Sequence, residues 1–79
     1  MKVYVIQSEV DASQYVGMSS DPSRRLSEHN SGKVRSTRAK VPWTIIHTES
    51  FDTRVAARER EKYLKTSAGR RFRKNLLGG

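Results

Sequence analysis

The sequence predicts an α+β fold: a three-stranded, mainly antiparallel sheet flanked by helices, in the order β-β-α-β-α-α. Three observations predict it. β-Branched and aromatic residues gather in short runs at residues 3–6, 14–18 and 43–48. Helix-start signals stand at Asp21-Pro22 and at Thr53. In the segments after those signals, apolar residues recur at helical spacing.

The first run, Val3, Tyr4, Val5 and Ile6, does not alternate with polar residues, the pattern of a strand covered on both faces. Residues 9–13 read as a turn, and residues 14–18 as the returning strand of a hairpin. Tyr4 and Tyr15 lie an odd number of positions apart. An antiparallel pairing can therefore set the two phenols directly opposite on one face, unless a bulge changes the register.

Asp21 as N-cap and Pro22 at the first helical position open a helix expected to reach Asn30, with Gly32 ending it. Its inward stripe is Pro22, Arg25, Leu26 and His29. Arg25 and His29 thus share a face with the helix's single large apolar residue. Residues 31–40 are polar and basic, a loop closed by Pro42, and residues 43–48 form the third strand. Thr53 caps a second helix running to about Lys65, with Ala57, Glu61 and Leu64 on one stripe and Glu59 outward. A last helix over residues 67–77 places Ala68, Phe72, Asn75 and Leu76 on one stripe, and Gly78 and Gly79 are expected to fray.

The 79 residues are expected to form one domain over 1–79, with a core of about 2–77. A chain this short buries only about 60% of its unfolded surface, so a polar group on an inward stripe needs a reason. With no cysteine, disulfide frameworks and thiolate zinc sites are excluded. No apolar run approaches the ~20 residues that span a bilayer, and no apolar segment follows Lys2; a soluble cytoplasmic protein is expected. Sixteen Lys and Arg against eight Asp and Glu leave a net charge of +8. Such a field attracts polyanions, nucleic acid foremost, with counterion release driving association. Charge alone does not separate that reading from an anionic membrane surface, a ribosomal neighbour or plain solubility.

Patterning brings Tyr4, Tyr15, Arg25, His29, Glu61 and Asn75 to inward or shared faces. Singly, each has an ordinary structural explanation: a strand tyrosine, a snorkelling arginine, a capping histidine, a Glu61–Lys65 surface pair, a solvated asparagine. Together they suit phosphodiester hydrolysis. That reaction needs a base for water, positive charge for the phosphate oxygens and help for the departing oxygen. A carboxylate-bound Mg²⁺ and an arginine fork supply the last two. A phenol serves as base only where neighbouring cations favour its anion.

Val3-Tyr4-Val5 and Tyr15-Val16-Gly17, at their mutual spacing, resemble the two signature triplets of the GIY-YIG nucleases. Arg25 and His29, one turn apart, resemble that family's helix motif, and the Arg60-Glu61-Lys62-Tyr63-Leu64-Lys65 segment is similar to the one carrying its metal-binding glutamate. Departures are the Val-Tyr-Val triplet in place of Gly-Ile-Tyr, and Met18 where some members have lysine. The resemblance implies an endonuclease that cuts DNA, branched or nicked DNA included, to a 5′-phosphate and a 3′-hydroxyl with one divalent ion, Mg²⁺ or Mn²⁺. By that resemblance Tyr4 activates water, Tyr15 orients water and phosphate, Arg25 neutralises phosphate charge, and His29 assists proton transfer or positioning. Glu61 binds the metal, and Asn75 matches a late asparagine of some members. Neither a membrane nor a small-molecule cofactor is expected, and a protein partner is left open.

Lys33, Arg35, Arg38 and Lys40 in the loop, and Arg70 and Arg71 near the C-terminus, are candidate nucleic-acid contacts; ordinary solvated surface is the alternative for each. Two other classes of protein fit the charge: a catalytically inactive nucleic-acid-binding module of the same fold, and an RNA- or ribosome-associated protein. A carboxylate on an inward stripe argues against both, because it repels phosphate and is costly to desolvate.

Overall fold

In the computed structural model, which describes residues 1–76, the first strand lies at the centre of the sheet. β1 (Lys2–Ser8) pairs antiparallel with β2 (Gln14–Ser19) on one side and β3 (Trp43–Ser50) on the other. That position explains its unbroken apolar run. Val3 and Val5 pack with Val16, Ala57 and Leu64 on one face, while Tyr4 and Ile6 join Trp43 on the other. β1 and β3 run past the expected apolar segments because ladder hydrogen bonds need no apolar side chain: Glu49 and Ser50 still pair with Val3 and Lys2.

α1 (Pro22–Asn30) packs on the Tyr4 face. Its N-cap forms as expected, with the Asp21 carboxylate accepting from the Arg24 amide at 3.2 Å. Pro22 and His29 are buried, and Arg25 and Leu26 are half-buried. The following loop ends in a short 3₁₀ turn, Arg38–Lys40, and carries one fully buried polar residue, Thr37. α2 (Arg54–Leu64), capped by Thr53, covers the Val3 face through Ala57 and Leu64, with Glu61 buried between them. α3 (Ser67–Lys74) packs on α2. No helix among the described residues is long and apolar enough to cross a membrane.

Two expectations are corrected. Tyr4 pairs with Gly17, and Tyr15 pairs with Ile6, so the phenols are diagonal neighbours on one face rather than direct opposites. In this register Gly17, without a side chain, leaves room for the Tyr4 ring. The face of α3 is also rotated from its predicted stripe. Gly69 is buried, Ala68, Arg73 and Leu76 are half-buried, while Asn75 is exposed and Phe72 is 37% exposed. The cause is a close helix approach: a Cβ at Gly69 would collide with the Tyr63 carbonyl and Leu64 Cα. α3 ends at Lys74 with Asn75 as C-cap; the expectations for Leu77, Gly78 and Gly79 lie outside the described residues.

Candidate active site

Tyr4, on the central strand, lays its ring across Gly17 of β2. A Cβ there would stand 2.5 Å from the phenol oxygen and 2.6 Å from Cζ, so glycine is what admits the ring. Tyr15 flanks it with ring centroids 6.5 Å apart. α1 then sets Arg25 and His29 over the pair. His29 Nε2 lies 2.9 Å from Tyr4 Oη, and its ring meets Tyr15 edge-on at 5.0 Å. The other imidazole nitrogen, Nδ1, lies 2.8 Å from Thr37 Oγ1. The Arg25 guanidinium stands beside the Tyr4 hydroxyl and donates to Glu28 Oε1 at 2.8 Å.

Burial raises the Tyr4 pKa. Arg25 opposes the rise by favouring the phenolate, whereas Tyr15 and the Glu61 carboxylate add to it. Burial lowers the His29 pKa, reinforced by Arg25 and opposed by Glu28. Both groups therefore rest neutral: a phenol donating or accepting at an uncharged imidazole.

Glu61 comes from the α2 stripe whose other members, Ala57 and Leu64, pack on the opposite sheet face. It is 7% exposed, and its oxygens lie 3.3 Å from Arg58 and 3.5 Å from Lys65, two largely exposed cations. Its charge adds, after burial and Tyr15, to the upward push on the Tyr4 pKa. Tyr4, Tyr15, Arg25 and His29 thus form one cluster, with Glu61 in its electrostatic field. Among the described residues no group of three or more His, Cys, Asp or Glu gathers. A lone, nearly buried carboxylate does suit a hard cation that keeps water and substrate oxygens as its remaining ligands. Asn75 is not part of the arrangement; the rotation of α3 leaves it exposed.

A recess of about 280 Å³ opens beside the cluster, lined by Met18, Asp21, Arg24, Arg25 and Glu28. Arg24 brings a cation to the recess that Met18 lines without one. Lys33, Arg35, Arg38 and Lys40 are all exposed on the loop, as are Arg70 and Arg71 on α3. Lys40 and Arg70 meet Arg73 and Lys74 around a groove of about 650 Å³. Lys40 is offset there by Asp11 at 3.2 Å, whereas among the described residues Arg73 donates to neutral acceptors, the Leu64 carbonyl at 2.9 Å and Gln14 Oε1 at 3.1 Å.

Three residues escaped the sequence reading. Thr37 holds the His29 ring, yet nothing in a polar basic loop marks it. Asn30 reads as a helix end, but its carboxamide clamps Trp43, accepting from the backbone N–H at 2.6 Å and donating to the carbonyl at 3.0 Å. Gly17 was legible only as part of its triplet.

Paired tyrosines on adjacent antiparallel strands, faced by an arginine and a histidine from the next helix, describe a nuclease class. Residues 1–75 match the GIY-YIG catalytic domain, and the chain belongs to that nuclease family. Its relatives include UPF0213 proteins. It is 44% identical to one from Halobacterium salinarum over 64 residues, covering 80% of this chain and 82% of the relative. It is 42% identical to one from Haloquadratum walsbyi, covering 81% and 72%. The solution NMR structure of a UPF0213 protein from Bacillus halodurans matches with a TM-score of 0.57 at 30% identity, covering 99% of this chain and 85% of that one.

Proposed function

We propose that this protein is a metal-dependent endonuclease that hydrolyses DNA phosphodiester bonds to 5′-phosphate and 3′-hydroxyl ends. The observation that carries the reading is the setting of Tyr4: a buried phenol bonded to an imidazole, flanked by a guanidinium and a second phenol, in the field of one nearly buried carboxylate. A passive electrostatic binder gains nothing from sinking that carboxylate.

In this reading Arg25 turns its planar donors from Glu28 to a phosphate and neutralises its charge. Tyr4 takes the proton of the attacking water, and Tyr15 orients water and phosphate. His29 accepts at Nε2 the proton that Tyr4 must shed. Glu61 would hold one divalent ion, Mg²⁺ or Mn²⁺, whose chemistry is polarisation of the phosphate and stabilisation of the departing oxygen. Arg58 and Lys65, being long, exposed side chains, can release the carboxylate for that task. Lys33, Arg35, Arg38, Lys40, Arg70 and Arg71 contact the DNA backbone, and the groove extends that track through Arg73 and Lys74.

The test is a divalent-metal cleavage screen on linear, nicked, forked, flap and single-stranded DNA. Tyr4→Phe and Glu61→Ala should each lose about 10²–10⁴-fold in cutting while keeping most DNA affinity. Equal cutting by wild type and Glu61→Ala removes the metal assignment. In the same binding assay, Arg70→Gln with Lys74→Gln should flatten the salt dependence by about 0.9 per lost phosphate contact in log–log slope.

A further inference from the structure

We infer that Thr37 is a positioning residue that holds His29 as the proton acceptor for Tyr4, making Tyr4, His29 and Thr37 a three-member relay. This rests on the nuclease reading and deepens it. The direction of the relay follows from its Thr37 end. At one end the Thr37 hydroxyl lies 3.3 Å from the Val34 carbonyl, an acceptor only, so the hydroxyl hydrogen goes there. Its oxygen is then left to accept, and the partner at 2.8 Å is His29 Nδ1, which must carry the hydrogen. A neutral imidazole with Nδ1–H has a bare lone pair at Nε2. At the other end, the Arg25 guanidinium is a neighbouring cation of the Tyr4 phenol. The phenol hydrogen needs an acceptor, and Nε2 at 2.9 Å is in place. The tautomer set at Thr37 leaves that acceptor open to Tyr4.

The fold protects this arrangement. Thr37 is 1% exposed, His29 and Tyr4 are 0% and 1% exposed, and no buried side-chain N or O among the described residues lacks a partner. Thr37 is itself held through its backbone carbonyl, which accepts from the Trp43 indole at 2.8 Å. Its hydroxyl is therefore free of any duty to Trp43 and serves only Val34 and His29.

In the relay the Tyr4 O–H bond breaks as His29 Nε2–H forms. The phenolate, beside Arg25, takes a proton from water as the water oxygen bonds to phosphorus. The imidazolium donates from Nδ1 to Thr37 and from Nε2 to the restored phenol. The count closes when His29 returns its Nε2 proton to the Tyr4 oxygen as the phenol passes its own to solvent, and the departing oxygen takes one from solvent. The charged or titratable groups facing His29 and its partner are Arg25 and Glu28 from α1, Tyr4 from β1, Tyr15 from β2 and, through Tyr4, Glu61 from α2.

The experiment is a long-range ¹H–¹⁵N correlation of the His29 ring, read beside the pH–rate profile of DNA cutting, in wild type, Thr37→Val and Thr37→Ser. Wild type and Thr37→Ser should show the Nδ1–H tautomer. Thr37→Val should show mixed ring nitrogens, with kcat down about 10–100-fold, an altered pH profile and unchanged DNA affinity. A wild-type ring protonated at Nε2 overturns the proposal without any variant, which covers the case in which Thr37→Val does not fold. So does a Thr37→Val protein with wild-type ring shifts and a wild-type pH profile. The spectrum needs no cutting. An Nδ1–H ring that Thr37→Val disturbs and Thr37→Ser preserves, in a protein that cuts no DNA, supports the positioning and sinks the nuclease reading alone.

Discussion

Gly17 and Tyr4 face each other across β1 and β2, and the phenol occupies the space that a side chain at 17 would fill. Packing and chemistry meet in that pair. Gly17→Ala puts a methyl group against Oη and Cζ of the buried Tyr4 ring. We expect a loss of about 1–3 kcal/mol in chemical denaturation. Cutting should also fall while the protein is still folded, because the displaced phenol leaves His29 Nε2. A midpoint and a rate equal to wild type would refute the close approach. Tyr15 has no comparable constraint: half-buried and edge-on to His29, it has room for the orienting role proposed for it.

At the level of elements, α1 determines whether the cluster exists, because Arg25 and His29 both ride on it. The helix is fastened at two ends. Asp21 caps its N-terminus, and Asn30 ties its last turn to the first residue of β3. Asn30→Ala leaves the Trp43 N–H and carbonyl without those partners. The expected cost is about 1–3 kcal/mol, measured by urea denaturation, with a lowered kcat as α1 shifts over Tyr4. An unchanged midpoint would show that the clamp contributes nothing. α1 and α2 were readable in outline, since caps and periodic burial are local properties. α3 was not, since its orientation is decided by the approach of Gly69 to α2, and a glycine is silent in any hydrophobic period.

On the scale of the molecule, charge is organised as well as abundant. Glu49 on β3 accepts from Arg60 at 2.8 and 3.1 Å and lies 2.8 Å from His47 Nε2. Arg60 in turn covers the Tyr63 and Phe72 rings at 5.1 Å each. Arg60, then His47, hold the Glu49 pKa below its ordinary value. The Ser13 hydrogen bonds, then Lys40, hold Asp11 down to about 2. Depressed carboxylates stabilise the fold above their unfolded pKa values, and that stability is lost as pH falls through the folded ones. His29 adds an earlier stage. Its pKa is lowered from 6.5, so the unfolded chain takes up the proton first, and stability begins to fall once pH drops below about 6.5. Urea midpoints against pH should therefore decline in two steps, one below about 6.5 and one below about 4.5. His29→Gln should remove the upper step alone. A wild-type midpoint that is flat from pH 7 to 5 would contradict the burial of a neutral His29.

Local pattern by itself determined the strands, the first two helices and the inward stations of Arg25, His29 and Glu61, because apolar periodicity and caps act over a turn or two of chain. It also supplied the two tyrosine triplets. Only the folded chain decided that Tyr4 faces Gly17, that Thr37 reaches His29 from a loop, that Asn75 faces solvent, and that Lys40 and Arg70 share a groove with Arg73. Those outcomes depend on close approaches between elements distant in sequence, where a missing Cβ or a single hydroxyl selects one register or rotation over another.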